Sequence, residues 1–274
     1  MVTIMLFVTR FTSKMCVLLV FWCMGAGASD ASNILPSTHT LSLLVKEVTG
    51  EVHGALLPAN VSPHDFSLRP SHVRRLQGAE LVVWYGPKIE PYLAKVMAQI
   101  APHKQLIINP GLSASNYGQH PWTSPAYLMQ GMQQLSRHMG KAWNEAVWLQ
   151  QIDKLKLQLV ANTHAMSDKN QGYVAYHDGI SAFESYFGLS HIATFTDADD
   201  QPPGAKQLAI INQLAKNNQL ACVLMDHEAQ PKLVDAVLSP MVKRIKIDIL
   251  AASSSSLLGY LTKLQQALLA CATD

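Results

Sequence analysis

Three histidines stand in loop contexts that suit metal binding. His64 directly follows Pro63, which restricts the backbone there, and His120 directly precedes Pro121 in a connection. His177 is predicted at the carboxyl end of a strand, where the ligand sites of open α/β sheets gather. Neutral imidazole nitrogens suit Zn²⁺, which takes nitrogen ligands in tetrahedral geometry. If folding brings the three rings together, they form a zinc site.

The other eight histidines lack this context. A lone histidine is more often a solvated or structural residue than a ligand, because its ring is only partly apolar. We therefore interpret the remaining histidines as ordinary polar positions: His39, His53, His72, His103, His138, His164, His191 and His227.

Short apolar runs alternate with amphipathic segments along the chain. Residues 79–85 form an apolar run bounded by glycines, which is typical of a buried strand, and residues 87–100 have helical periodicity. Further strands are predicted at 33–36, 52–57, 105–108, 172–176, 192–195, 221–225 and 243–249, and helices at 41–48, 71–77, 180–187, 205–216, 231–238 and 257–268. This alternation predicts an α/β fold with mostly parallel sheets and helical cover.

The middle of the chain is different. A helix is predicted to begin at Ser124-Pro125, which provide an N-cap and an N1 proline, and to end at Gly140. Residues 141–166 then contain neither proline nor glycine, and a helix of that length reaches on the order of 39 Å at 1.5 Å per residue. Its apolar stripe is predicted from Trp143, Val147, Ile152, Leu155 and Leu159. We expect two α/β lobes, 29–140 and 169–274, joined by one long rigid helix over 141–168.

The beginning of the chain is typical of a secretory signal. Arg10 and Lys14 precede an apolar run over 15–25, and Ala26-Gly27-Ala28 matches a cleavage site. We therefore predict a cleavable signal peptide over 1–28, with an uncleaved anchor as the alternative. The chain has 274 residues and a formal net charge of +2, which Arg10 and Lys14 supply. The balanced remainder gives no electrostatic footprint for nucleic acid.

Export would determine which cysteines remain in the mature protein and whether they are oxidised. Cys16 and Cys23 would leave with the signal, so Cys222 and Cys271 remain as an even pair in an oxidising compartment. A disulfide is the simplest expectation, and two buried free thiols are the alternative.

Several motifs in order resemble periplasmic zinc-binding proteins of ABC importers, within the cluster of zinc- and manganese-specific solute-binding proteins. They are the Ser62-Pro63-His64-Asp65-Phe66 run with Leu68-Arg69-Pro70, the strand 79–84 with Gly86-Pro87, His120-x-Trp122, and Tyr176-His177-Asp178. The resemblance spans about residues 33–271. It implies two lobes with the metal held in the cleft between them, delivery to a membrane permease, a periplasmic location, and a disulfide between Cys222 and Cys271.

The resemblance also implies roles for particular residues. His64, His120 and His177 occupy the three histidine ligand positions, and a histidine at the third position favours zinc over manganese. Asp248 matches a C-terminal aspartate and is expected as the fourth ligand, with water as the alternative. Asp65 and Asp178 adjoin ligands, so they are expected to orient imidazoles through the other ring nitrogen. One departure is Asp226-His227-Glu228, where relatives have Glu-Pro-Gln.

The leading hypothesis is thus a monomeric, non-enzymatic periplasmic receptor that captures Zn²⁺. A manganese receptor of the same type is the runner-up. A zinc-dependent hydrolase is a second class, because three histidines and a water on zinc also form catalytic sites, although the chain contains no HExxH motif. A zinc-storage or adhesion module without a transporter is a third.

Overall fold

The computed structural model describes residues 33–64, 66–109, 118–196 and 202–272, and for 162–168 it describes only the helical backbone. The predicted signal peptide and Asp65 therefore lie outside the described residues. Within the described residues the chain forms two parallel sheets with helices between the strands. The predicted α/β class is confirmed.

The first sheet has three strands in the order β1-β2-β3, and both pairings are parallel. The strands are β1 (Ile34–Pro36), β2 (Leu81–Trp84) and β3 (Gln105–Ile107), and the accompanying helices are α1 (His39–Thr49), α2 (Pro70–Gly78), α3 (Pro91–Met97) and α4 (Pro125–Met139). All four residues of β2 are buried. This agrees with the predicted apolar run, because a central strand covered on both faces has apolar side chains throughout.

The second sheet has four strands in the order β5-β4-β6-β7, again all parallel. Its strands are β4 (Gly172–Ala175), β5 (Ala193–Thr194), β6 (Leu220–Met225) and β7 (Lys243–Lys246), and its helices are α6 (Ser181–Phe187), α7 (Ala205–Lys216), α8 (Pro231–Val237) and α9 (Leu257–Ala272). Because β4 and β6 are neighbours, the residues that follow them emerge side by side at one edge.

Helix α5 (Glu145–Asp168) stands in the sequence between the two sheets. It begins later than predicted, because the Asn144 side chain accepts a hydrogen bond from the Val147 amide at 3.2 Å and so caps it. Val147 itself is exposed, whereas Trp148 is buried with the three predicted stripe residues that follow it. One continuous apolar core contains this face of α5, α1, α4, α9 and parts of both sheets.

Two predicted elements are shorter or absent. Residues 52–57 do not form a strand. The amides of Leu56 and Leu57 donate hydrogen bonds to the carbonyls of Pro36, the last residue of β1, and of Ser37, which follows it. Helix α3 starts at Pro91, because a turn over 86–90 comes first.

The predicted disulfide is present. Cys222 lies in β6 and Cys271 in the last turn of α9, with a Cα–Cα distance of 5.4 Å. The bond closes a loop of 49 residue steps and attaches the terminal helix to the second sheet, which in the chain-entropy account stabilises the fold by about 4 kcal/mol.

Candidate metal centre

His177 and Asp226 meet because their strands are neighbours. His177 comes two residues after β4 and Asp226 directly after β6, so both side chains leave the same edge of the sheet. The Nδ1 atom of His177 lies 2.6 Å from Oδ2 of Asp226, and both side chains are almost fully buried. The backbone amide of Glu228 donates to the other carboxylate oxygen at 2.9 Å, which orients Asp226 toward the ring.

His120 is positioned by the turn that leads into α4. It precedes a 3₁₀ turn over Pro121–Thr123, and its carbonyl accepts hydrogen bonds from the amide and hydroxyl of Thr123. Its buried ring presents Nδ1 to the carbonyl of Asp178 at 3.2 Å. Trp122, in the same turn, donates from Nε1 to the carbonyl of Ile249 at 2.8 Å. The turn is thereby fixed to segments from the second half of the chain.

His64 approaches from the loop that follows β1 and α1. Its backbone amide donates to Oγ of Ser62 at 3.2 Å. Its ring centroid lies 5.2 Å from that of His120 in an edge arrangement and 6.0 Å from Trp122 in a stacked one. The structure therefore brings all three sequence-predicted histidines into one cluster.

The spacing of the rings suits one shared ion. The Nε2 atoms of His120 and His177 are 3.4 Å apart. Two nitrogens bound to a tetrahedral zinc at about 2.0–2.1 Å are separated by about 3.3–3.4 Å, and their ring centroids by about 5 Å. The centroids of His120 and His177 are 5.0 Å apart. Among the described residues, no group of three or more His, Cys, Asp or Glu side chains is arranged to hold a metal ion.

The hydrogen bonds of His120 and His177 select their tautomers. Each ring has an acceptor oxygen next to Nδ1, so the proton is on Nδ1. The lone pair of Nε2 then points toward the other ring. Two facing lone pairs at 3.4 Å repel each other unless a cation lies between them. Burial, followed by the nearby His177 and His64, lowers the pKa of His120 well below its usual range, although the Asp178 carbonyl opposes this. The ring is therefore neutral and able to bind metal.

A side chain at position 179 would crowd the pair. A Cβ added to Gly179 would lie 3.1 Å from Nε2 of His177 and 2.7 Å from Cδ1 of Ile249. Any larger residue would push against the nitrogen that faces His120.

Asp226 was missed as a functional residue by the sequence analysis. Its sequence signal was present, because it directly follows an apolar strand. What the sequence did not show is that β6 pairs with β4, which is what sets this carboxylate against His177. The carboxylate–histidine pair is the arrangement that commonly supports a metal-bound histidine.

Asp248 and Asp178 differ from their predicted roles. β7 ends at Lys246, so Asp248 lies in a loop, where its two carboxylate oxygens accept hydrogen bonds from the amides of Ala252 and Ser253 and the Ser253 hydroxyl. Burial raises the pKa of Asp248, but these hydrogen bonds outweigh it and the net pKa is lowered. The carboxylate therefore caps a loop.

Asp178 reaches His120 through its backbone carbonyl and not through its side chain. Its carboxylate instead accepts from the amide and hydroxyl of Ser181 at the start of α6. The expected support of an imidazole is present, but a different atom provides it.

A sequence model of the protein family described as "Zinc-uptake complex component A periplasmic" matches residues 34–272. The chain belongs to this family. The resemblance inferred from the histidine motifs is therefore confirmed. No helix among the described residues is both long enough and apolar enough to cross a membrane.

Two curated relatives share one name, which also refers to zinc uptake. The high-affinity zinc uptake system protein ZnuA of Yersinia pestis is 29% identical over 224 residues, which are 66% of this chain and 70% of that protein. The protein of the same name from Haemophilus ducreyi is 25% identical over 265 residues, 81% of this chain and 86% of its own length.

Solved structures share the fold. A crystal structure of ZnuA has a TM-score of 0.71 at 19% identity and covers 89% of this chain and 100% of its own. The periplasmic zinc-binding protein TroA from Treponema pallidum has a TM-score of 0.66 at 15% identity, covering 88% of this chain and 99% of its own. At these identities the likeness concerns the fold alone.

Proposed function

We propose that this protein is a zinc receptor that captures Zn²⁺ with His64, His120 and His177 and delivers it to the membrane permease of an ABC importer. The observation that carries the proposal is the distance of 3.4 Å between the buried Nε2 atoms of His120 and His177. Each ring is held in this orientation by an oxygen atom that lies next to its Nδ1 atom. A cation between them removes the repulsion of the two lone pairs and completes the hydrogen-bonded network.

The donor set supports zinc as the cargo. Three neutral imidazoles are borderline donors that suit zinc, whereas manganese favours carboxylate and other oxygen ligands. The carboxylate nearest to the pair, Asp226, is engaged with His177. It raises the basicity of the ring as a ligand and offsets part of the charge of the ion.

A binding role in the periplasm agrees with the names of the relatives, which are zinc uptake proteins. We infer export by the signal peptide predicted over 1–28, a monomeric receptor without enzymatic activity, and a permease as the partner. The near balance of acidic and basic residues after the signal supports a small cation as cargo and not nucleic acid.

Replacement of His177 tests the site. His177→Ala removes one nitrogen of the pair and releases Asp226 as an uncompensated buried charge, so we expect zinc affinity to fall by at least about a hundredfold. Competition titration with a chromophoric chelator measures it, first with Zn²⁺ and then with Mn²⁺. His103→Ala, at an exposed position, is the matched control.

Two results would contradict the proposal. The first is equal zinc affinity in the His177→Ala and wild-type proteins, and the second is tighter binding of Mn²⁺ than of Zn²⁺ by the wild type. Transport is tested in cells: loss of the gene should lower zinc uptake in chelator-treated medium, and the His177→Ala variant should not restore it. A storage or adhesion module would leave uptake unchanged.

A further inference from the structure

A cavity of about 780 Å³ is lined in part by Asp226, the carboxylate that contacts His177. Its lining includes Asp226, His227 and Asp248, together with the turn that connects β6 to α8. His227 is in this turn, and its side chain is 32% exposed. The sequence analysis interpreted this residue as an ordinary polar position, because nothing in the sequence placed it near the other rings.

His227 is close to the ligand histidines. Its ring centroid is 6.3 Å from that of His177, in an edge arrangement. His177 in turn contacts His120 at a centroid distance of 5.0 Å, and His120 contacts His64 at 5.2 Å. Each of the four imidazoles therefore has another imidazole as a neighbour.

The Glu228 carboxylate lies near both His227 and His177. One carboxylate oxygen of Glu228 lies 3.8 Å from Nε2 of His227, and the other lies 3.9 Å from Nδ1 of His177. The carboxylate therefore stands between the two rings. Together with Asp226 it supplies two negative charges beside the proposed zinc site, which match the charge of a Zn²⁺ ion held by neutral ligands.

Three imidazoles leave a fourth position on a tetrahedral zinc. Both oxygens of Asp248, the residue expected to fill it, accept hydrogen bonds from the 248–253 loop. We infer that His227 is the fourth ligand of the zinc ion, which gives a site of four imidazoles. This inference rests on the proposed function, because it adds a donor to the same site.

Binding requires the His227 ring to move. Two rings on one tetrahedral zinc have centroids about 5 Å apart, and those of His227 and His177 are 6.3 Å apart, so the His227 ring must move closer and turn a nitrogen toward the histidine pair. A partly exposed side chain in a turn can make this change by rotating about its own bonds. Its exposure also gives the ion a first nitrogen to bind at the cavity before it reaches the buried pair.

Two measurements on the same variants test the inference. His227→Gln, compared with His103→Gln as the control, should lower zinc affinity at least about tenfold, the lower end of what a lost supporting group costs a metal site. X-ray absorption of the zinc-loaded proteins should count four imidazoles in the wild type and the control but three in His227→Gln. Near-ultraviolet circular dichroism checks that each variant is folded.

The outcomes separate this inference from the proposed function. An unchanged affinity in His227→Gln, with three imidazoles in the wild type, overturns the role of His227 while His177→Ala still loses zinc. A slower association at unchanged affinity also overturns it, because a ligand must contribute to the equilibrium. If His177→Ala binds zinc as tightly as the wild type, both the inference and the proposed function fail.

Discussion

Two pairs of histidines in the cluster are held in different ways. His120 and His177, which we call the fixed pair, are almost fully buried, and each has an oxygen beside Nδ1. His64 and His227, the adjustable pair, lie on loops, where His64 is half-buried and His227 is exposed, and their rings contact the fixed pair edge-on. In the proposed site the fixed pair is aligned before the ion arrives, whereas the adjustable pair closes around it.

The difference has an energetic reason. Groups that are already ordered lose little conformational entropy when a ligand binds, so the fixed pair contributes affinity at low cost. Loop histidines lose more on binding, but they leave a path for the ion to enter and leave. A receptor that must release its cargo to a partner needs both properties. Each of the following predictions tests one part of this comparison.

Asp226→Asn should have the largest effect, because it weakens the anchor of the fixed pair. An amide oxygen still accepts from Nδ1 of His177, but the charge that strengthens the ring as a ligand is lost. We expect zinc affinity to fall about 10- to 100-fold, measured by competition titration. Asp153→Asn, at an exposed position on α5, is the control. An unchanged affinity would mean that His177 does not depend on its carboxylate.

Glu90 is a buried carboxylate without a histidine partner, so it contrasts with Asp226. It accepts hydrogen bonds from the Ser37 hydroxyl, the Tyr85 amide and the Tyr92 hydroxyl, which are all neutral donors. Burial outweighs these hydrogen bonds and raises the pKa of Glu90 to about 7. The folded protein therefore binds this proton more tightly than the unfolded chain does.

The pH dependence of stability follows from that shift. Between about pH 4.5 and 7 the folded state holds the proton and the unfolded state has lost it, so stability should decrease as pH rises through this window. The Glu90 contribution to this decrease should be about 3 kcal/mol. Urea denaturation of metal-free protein at several pH values should show a smaller decrease for Glu90→Gln, whereas Glu145→Gln should behave as the wild type. Equal slopes in all three proteins would refute the assignment.

Trp122→Phe should have the smallest effect, because it leaves in place the oxygen atoms that contact Nδ1 of both rings of the fixed pair. The change removes the hydrogen bond from Nε1 to the Ile249 carbonyl and part of the stacking against His64. That carbonyl keeps the hydrogen bond from the Tyr260 hydroxyl, so we expect a loss of only about 1 kcal/mol in unfolding free energy. Zinc affinity should fall less than in Asp226→Asn. A larger fall in zinc affinity than in Asp226→Asn would mean that the fixed pair is not the main source of affinity. Trp143→Phe is the control.

Much of the fold was predictable because its signals are local. Each of these signals involves only a few consecutive residues. The structure has them where they were predicted: the apolar run of β2, the start of α4 at Ser124-Pro125 and the glycine that ends α4. The predicted strand at 52–57 was wrong, since its pairing depends on how far β1 extends, which is a property of another segment.

The candidate site divides in the same way. The motifs around His64, His120 and His177 singled out the three rings, since each motif is contiguous in the sequence. The roles of Asp226 and His227 were not predictable, because they depend on β6 pairing with β4, two strands more than 40 residues apart. Asp248 was expected as a ligand, and what the structure shows for its oxygens is hydrogen bonds from the amides of its own loop, which the sequence did not predict.

The sequence by itself determined the alternation of strands and helices, the motifs that carry the histidines and the pairing of the two remaining cysteines, because these depend on neighbouring residues or on residue type. Only the tertiary structure decided which carboxylate supports which ring, and which loop histidine lies beside the buried pair. Hydrogen bonds and metal coordination act over about 2–4 Å between atoms. The positions of these side-chain atoms are set only when the strands align side by side. A local sequence pattern does not specify them.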